Sequence, residues 1–167
     1  MTEASKKRTS YRDTASFGKR QEYVVIAELL KRGFDVYQTL VDDQGIDCII
    51  RRDVNGELSY VDIQIKARSR QAGERSHGHW PAIRIQRREN YFFIFFSEPL
   101  RRYWIIPSVD LADKAKLRKG TEDVYDVFLA NLRKPRGVKK AEHVESEDFE
   151  QYINAWELLR PCGSELS

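Results

Sequence analysis

Asp47, Gln64 and Lys66 are polar residues in a stretch that otherwise reads as a half-buried sheet. The dipeptide Asn55-Gly56 signals a two-residue type I′ turn, and such a turn sets the register of the strands on either side. Val54 then faces Glu57, and Asp47 falls opposite Gln64, with Lys66 two residues further along the same face. The alternate positions, Val61, Ile63, Ile65 and Ala67, form an apolar row that belongs to the core. Glu22 precedes Val25 and Ile26 by three and four residues, which puts it on the inward stripe of a helix. An uncompensated buried carboxylate costs several kcal/mol, so Glu22 needs a lysine, a cation or solvent at the sheet edge. An acid, an amide, an amine and a second acid are groups that can hold a cation and stabilise developing charge. The purely structural alternatives are a first-turn glutamate favouring the helix dipole and a salt bridge from Lys66 to Asp47 or Asp62.

These residues need a helix, a hairpin and a sheet to hold them. Val25, Ile26, Leu29 and Leu30 recur at helical spacing over residues 18–32, and Gly33 supplies the stop. Residues 34–40 alternate as a first strand, and residues 46–52 and 58–67 form a second and third around the turn. Residues 71–81 are polar, contain Gly73 and Gly78, and read as a loop. Tyr91–Ser97 and Arg102–Pro107 follow as strands about a turn at Glu98, Pro99 and Leu100, with residues 91–96 in the core. A short helix is expected over 109–117. A final helix is expected over 146–159, where Phe149, Tyr152, Ile153 and Trp156 share a stripe and acids occupy the first turn. The order defines an α/β fold, a mixed central sheet flanked by helices.

The 167 residues, 41% hydrophobic and 33% charged, are enough for one core without disulfide or metal staples. A basic arm over 1–16, one domain over 17–162 and a tail over 163–167 are expected. The longest apolar run, 91–96, is too short to span a bilayer, and charges stand where a signal peptide would be apolar, so a cytoplasmic protein with no membrane partner is expected. Cys48 and Cys162 lack metal or disulfide spacing, and Cys48 reads as a core residue. Charge is segregated. Residues 1–20 carry six basic residues against two acids, residues 66–102 nine against three, and residues 141–167 one against seven. That pattern suits a basic face for a polyanion and an acidic flank held away from it, although solvated surface explains it equally well.

The sequence resembles the PD-(D/E)xK nuclease superfamily, and within it the small members related to archaeal Holliday junction resolvases. The segments "GKRQEYVVIAELLKRGF", "GIDCII" and "QIK" stand in the family's order at family-like intervals, and "FIFFSEPLRRYWIIPSVDL" is similar to its last hairpin. The resemblance spans residues 18–111. It implies a restriction-endonuclease-like core with a divalent metal, Mg²⁺ or Mn²⁺, at the sheet edge and DNA as the partner. By position, Glu22 matches the helix glutamate, Asp47 the metal-binding aspartate and Lys66 the catalytic lysine. Gln64 stands where the family usually has an acid, giving a QxK third motif. Under this resemblance Glu22, Asp47 and Gln64 are the metal ligands. A hard cation held by carboxylates makes water nucleophilic and stabilises the extra-negative phosphate of phosphodiester hydrolysis. Gln64 offers its amide oxygen, and Lys66 positions or helps deprotonate the attacking water.

Phosphate contacts need only positive charge near the path, so Lys19, Arg20, Arg68, Arg70, Arg84, Arg87 and Arg88 are candidate DNA-backbone residues, with ordinary surface as the other reading. His77 and His79 have no clustered cysteine or acid and read as loop residues. Asp42 and Asp43 flank the site or merely make the turn, and Trp80 is expected to pack on the sheet. The expected function is a metal-dependent DNA endonuclease of the resolvase-like kind. The alternatives are a non-catalytic nucleic-acid-binding module with the same fold and a protein-interaction domain built on the acidic C-terminal region. Two coordinated cuts would favour a two-fold homodimer.

Overall fold

The computed structural model describes residues 11–40, 44–133 and 141–161. Most of the expected basic arm, the tail, Cys162, Asp42 and Asp43 lie outside the described residues. Helix α1 (Tyr11–Lys31) starts before Gly18, so residues 11–16 are helical rather than part of an arm. It stops as its sequence dictates. Gly33, at φ 78°, donates its N–H to the Leu30 carbonyl at 2.9 Å, and Phe34 donates to Leu29 at 3.1 Å. This is the paired closure of a Schellman motif, with Phe34 and Leu29 both buried in one cluster.

The described strands are β1 (Asp35–Gln38), β2 (Cys48–Val54), β3 (Glu57–Arg68), β4 (His79–Arg84), β5 (Tyr91–Ser97), β6 (Arg102–Pro107), β7 (Lys116–Leu117), β8 (Val124–Phe128), β9 (Ala130–Arg133) and β10 (Glu142–Glu145). Helix α2 (Ser108–Lys114) follows β6. The central sheet has the order β1-β2-β3-β5-β6, antiparallel except for the parallel β3/β5 pair. A parallel pair requires a crossover. Residues 69–90 make it, carrying β4 away from the central sheet into a second sheet of order β4-β8-β7, while β9 and β10 form a hairpin of their own.

Each face of the central sheet has its own core. On one face Val25 and Leu29 of α1 pack on Cys48, Ile50, Val61, Ile63, Ile65, Phe92 and Ile94. On the other, Phe93, Phe95, Trp104 and Ile106 meet Trp80, Ile83, Tyr125 and Val127 of the second sheet. The alternation of β5 explains this, since its odd and even residues feed opposite clusters and each fully buried side chain contributes roughly 1.5–3 kcal/mol.

Three expectations are corrected. The segment 71–81 is not all loop, because β4 begins at His79. The short helix ends at Lys114, and Lys116–Leu117 is strand. The final helix over 146–159 does not form. It is replaced by two 3₁₀ turns, Glu150–Tyr152 and Trp156–Leu159, separated by Asn154 at φ 53°. The reason is that this segment serves two cores: Phe149 and Tyr152 enter one cluster, Trp156 and Leu159 the other. A single helical stripe faces one way only. No helix among the described residues is long and apolar enough to cross a membrane.

Candidate functional site

The β2–β3 hairpin pairs as its turn dictates. Asn55 and Gly56 adopt φ values of 55° and 87°, as a type I′ turn requires, and Val54 faces Glu57 with the register unbroken to Cys48 opposite Ile63. At Asp47 the ladder changes. Its N–H donates to the Ile63 carbonyl at 2.8 Å, one position off the hairpin register, so Asp47 does not stand directly opposite Gln64 as expected. Its Oδ2 instead accepts the Ile65 N–H at 2.6 Å. Beyond the end of β2 that N–H needs an acceptor, and the carboxylate supplies one. The Thr39 hydroxyl secures the same stretch of chain by donating to the carbonyls of Ile46 and Asp47, at 2.6 and 3.1 Å.

Gln64 and Lys66 lie, as expected, on the face opposite Val61, Ile63 and Ile65, and pair in register with Phe93 and Phe95. Gln64 is 8% exposed. Its amide nitrogen rests against Gly45, where an added methyl would stand 2.6 Å from it. Gly45 also has φ 71°, so only glycine fits there without strain. Lys66 is half-buried and forms no ion pair among the described residues, while Asp62, one of its structural alternatives, is paired with Arg88.

Glu22 occupies the inward side of α1, where its Oε2 accepts a hydrogen bond from Lys19 Nζ at 2.6 Å. That bond raises the Lys19 pKa against the opposing effect of burial, with further support from the charges of Glu22, Tyr23 and Asp47. The Cys48 thiol is pushed up to about 12, first by burial and then by the charges of Asp47 and Glu22. The two acids therefore act on the same small region, Glu22 from the helical layer and Asp47 from the end of β2. Gln64 and Lys66 approach from the opposite face of the sheet.

The candidate phosphate-binding residues divide into two groups. Arg70 pairs with Glu98, Arg84 with Asp123 at 3.0 Å, Arg87 with Asp113 at 2.6 Å and Arg88 with Asp62. Arg20 is exposed and has no carboxylate partner among the described residues. Arg68 donates to the His79 carbonyl at 2.5 Å and lies over the Trp80 ring at 5.5 Å, and burial lowers its pKa. Trp80 is a packing residue, edge-on to Phe95 and Trp104. His77 stacks on His143, and His79, which opens β4 rather than lying in a loop, stacks on Phe128. Cys48 is fully buried, as expected.

Two participants escape a sequence reading. Gly45 is signalled only by its place two residues before Asp47, and Tyr91 by nothing at all. The Tyr91 hydroxyl donates to the Gly45 carbonyl at 2.8 Å, across 46 positions of chain.

The fold is similar to that of a solved structure of a bacterial homing endonuclease, I-Ssp6803I, which matches with a TM-score of 0.52 over 85% of this chain and 89% of that chain, at 21% sequence identity. No family model matches the sequence, and no curated protein matches it.

Carboxylates and an amide oxygen are the donor types a hard divalent cation prefers, and the Glu22 carboxylate already holds the Lys19 ammonium. Among the described residues no three His, Cys, Asp or Glu side chains gather to hold a metal, so Gln64 and water would have to complete the coordination.

Proposed function

We propose that the protein is a metal-dependent DNA endonuclease of the resolvase-like kind, hydrolysing phosphodiester bonds at the end of β2. The observation that carries this reading is the departure of Asp47 from the hairpin ladder. It leaves a buried carboxylate bonded to the Ile65 N–H, with Gln64 and Lys66, which forms no ion pair among the described residues, on the flanking positions of the same strand. The shared fold of the homing endonuclease supports it.

Glu22, Asp47 and Gln64 would hold Mg²⁺ or Mn²⁺, which when bound supplies Lewis acidity toward the phosphate and a nucleophilic water at neutral pH. Asp47 is held rigidly for this by its backbone bond. Lys66 presents its ammonium to a phosphate oxygen, where it stabilises the charge that develops on attack, or it orients the attacking water. Lys19 balances the charge of Glu22. A non-catalytic nucleic-acid-binding module is the second reading, favoured by the neutral amide of Gln64 where a third charge would strengthen cation binding.

The test is cleavage of duplex, branched and single-stranded DNA with Mg²⁺ or Mn²⁺, wild type beside Lys66→Met. The expected result is divalent-dependent cleavage by the wild type, strongest on branched DNA, and a loss of about 10²–10⁴-fold in Lys66→Met with DNA binding retained. Salt-dependent binding without cleavage under every condition would select the second reading.

A further inference from the structure

We propose that Tyr91 is a positioning residue for this site, an inference that rests on the endonuclease reading for its purpose but not for its geometry. Residues 44–47 connect to β2 and carry Asp47 at their end. Their backbone is held from two sides, by the Thr39 hydroxyl on the Ile46 and Asp47 carbonyls and by the Tyr91 hydroxyl on the Gly45 carbonyl at 2.8 Å. Tyr91 opens β5 directly beside Asp62 of β3, and its ring is 3% exposed.

The ring is itself fixed. Arg88 lies over it at 5.1 Å and pairs with Asp62. The Arg88 main chain is in turn bracketed by the buried Ser108, whose Oγ accepts the Arg88 N–H at 2.9 Å and donates to the Arg88 carbonyl at 2.8 Å. A continuous set of contacts thus runs from the start of α2 through Arg88 and Tyr91 to Gly45. The same Gly45 abuts the Gln64 amide. Tyr91 therefore sets the position of Asp47 by holding its connecting chain and that of Gln64 by holding the glycine it packs against. It acts through these two residues.

Tyr91→Phe removes one hydroxyl and keeps the ring. The Ile65 amide reports the consequence without any metal, because its acceptor is the Asp47 carboxylate. Hydrogen exchange at Ile65 should accelerate about tenfold or more in Tyr91→Phe, as it should in Asp47→Ala, while Val61 and the other amides of the β2/β3 ladder keep their protection. Tyr125→Phe, which takes a phenol from the same core cluster, should leave Ile65 unchanged. Mn²⁺ affinity measured by calorimetry should fall several-fold in Tyr91→Phe. Unchanged Ile65 exchange would overturn the proposal, and so would a uniform loss of protection along β3, which marks the hydroxyl as a general packing contribution. If wild type and Asp47→Ala take up Mn²⁺ alike, the cation reading fails instead, and the exchange result alone decides the role of Tyr91.

Discussion

Replacing Gln64 by glutamate adds a carboxylate at the strand position next to Ile65, whose N–H is bonded to the Asp47 carboxylate. Offset positions on neighbouring strands stand about 7–8 Å apart. At an effective dielectric constant of about 20, two unit charges at that distance repel by about 2 kcal/mol. Gln64 is 8% exposed and Asp47 7%, so solvent relieves little of this. In EDTA at neutral pH, Gln64→Glu should therefore lose about 2 kcal/mol of stability. A cation between the carboxylates reverses the sign of the interaction, and a ligand at a hundred times its Kd adds about 2.7 kcal/mol by mass action. Urea unfolding followed by tryptophan fluorescence, with EDTA and then with MnCl₂, measures both quantities. The deficit should close or invert with Mn²⁺, and the variant should gain more from Mn²⁺ than the wild type does. Equal stability of the two proteins in EDTA would show that residues 47 and 64 are not electrostatic neighbours. A deficit that persists in Mn²⁺ would show that no cation sits between them.

The ion pairs Arg84–Asp123 and Arg87–Asp113 hold guanidinium groups that DNA would otherwise recruit, so Asp113→Asn combined with Asp123→Asn should tighten DNA binding and steepen the log–log salt dependence by about 1–2 units; an unchanged slope in a salt titration would place the DNA path elsewhere. Burial holds His79 below its ordinary value of 6.5, so the unfolded chain gains a proton before the folded one as the pH drops. The stability supplied by the neutral ring is complete above about pH 6.5 and is lost below it. His79→Phe, which keeps the stack on Phe128, should flatten the stability profile between pH 7 and 5 in denaturant melts.

What could be read in advance was local. The Asn55-Gly56 turn set the register of seven residue pairs because its backbone conformation admits little else. The face of β3 that carries Gln64 and Lys66 followed from that register. The slip at Asp47 did not, because it depends on Thr39 and Ile65, neither of which the turn controls. The second sheet was missed for a different reason. In β8 buried Tyr125 and Val127 do alternate with more exposed Val124, Asp126 and Phe128, a readable period of two, but β4 hides its pattern behind Pro81 and a register shift between Trp80 and Ile83. The arginine partners were illegible because they lie far away along the chain, as with Arg88 and Asp62 at 26 positions.

The C-terminal segment that divides its aromatic residues between the two faces of the central sheet has a consequence for how the chain folds. Trp104 and Ile153 share an isolated β-bridge, Arg52 of the hairpin donates to the carbonyls of Leu158 and Leu159, and Arg32 at the end of α1 lies over Trp156. One stretch thus plugs both layers and latches onto the hairpin and the helix together. Neither layer can loosen alone, which makes unfolding a single cooperative event rather than two. During synthesis the nascent chain can seal neither layer until residues 149–159 have cleared the ribosome, so strands that would otherwise pair early wait, open-faced, for a late-arriving closure.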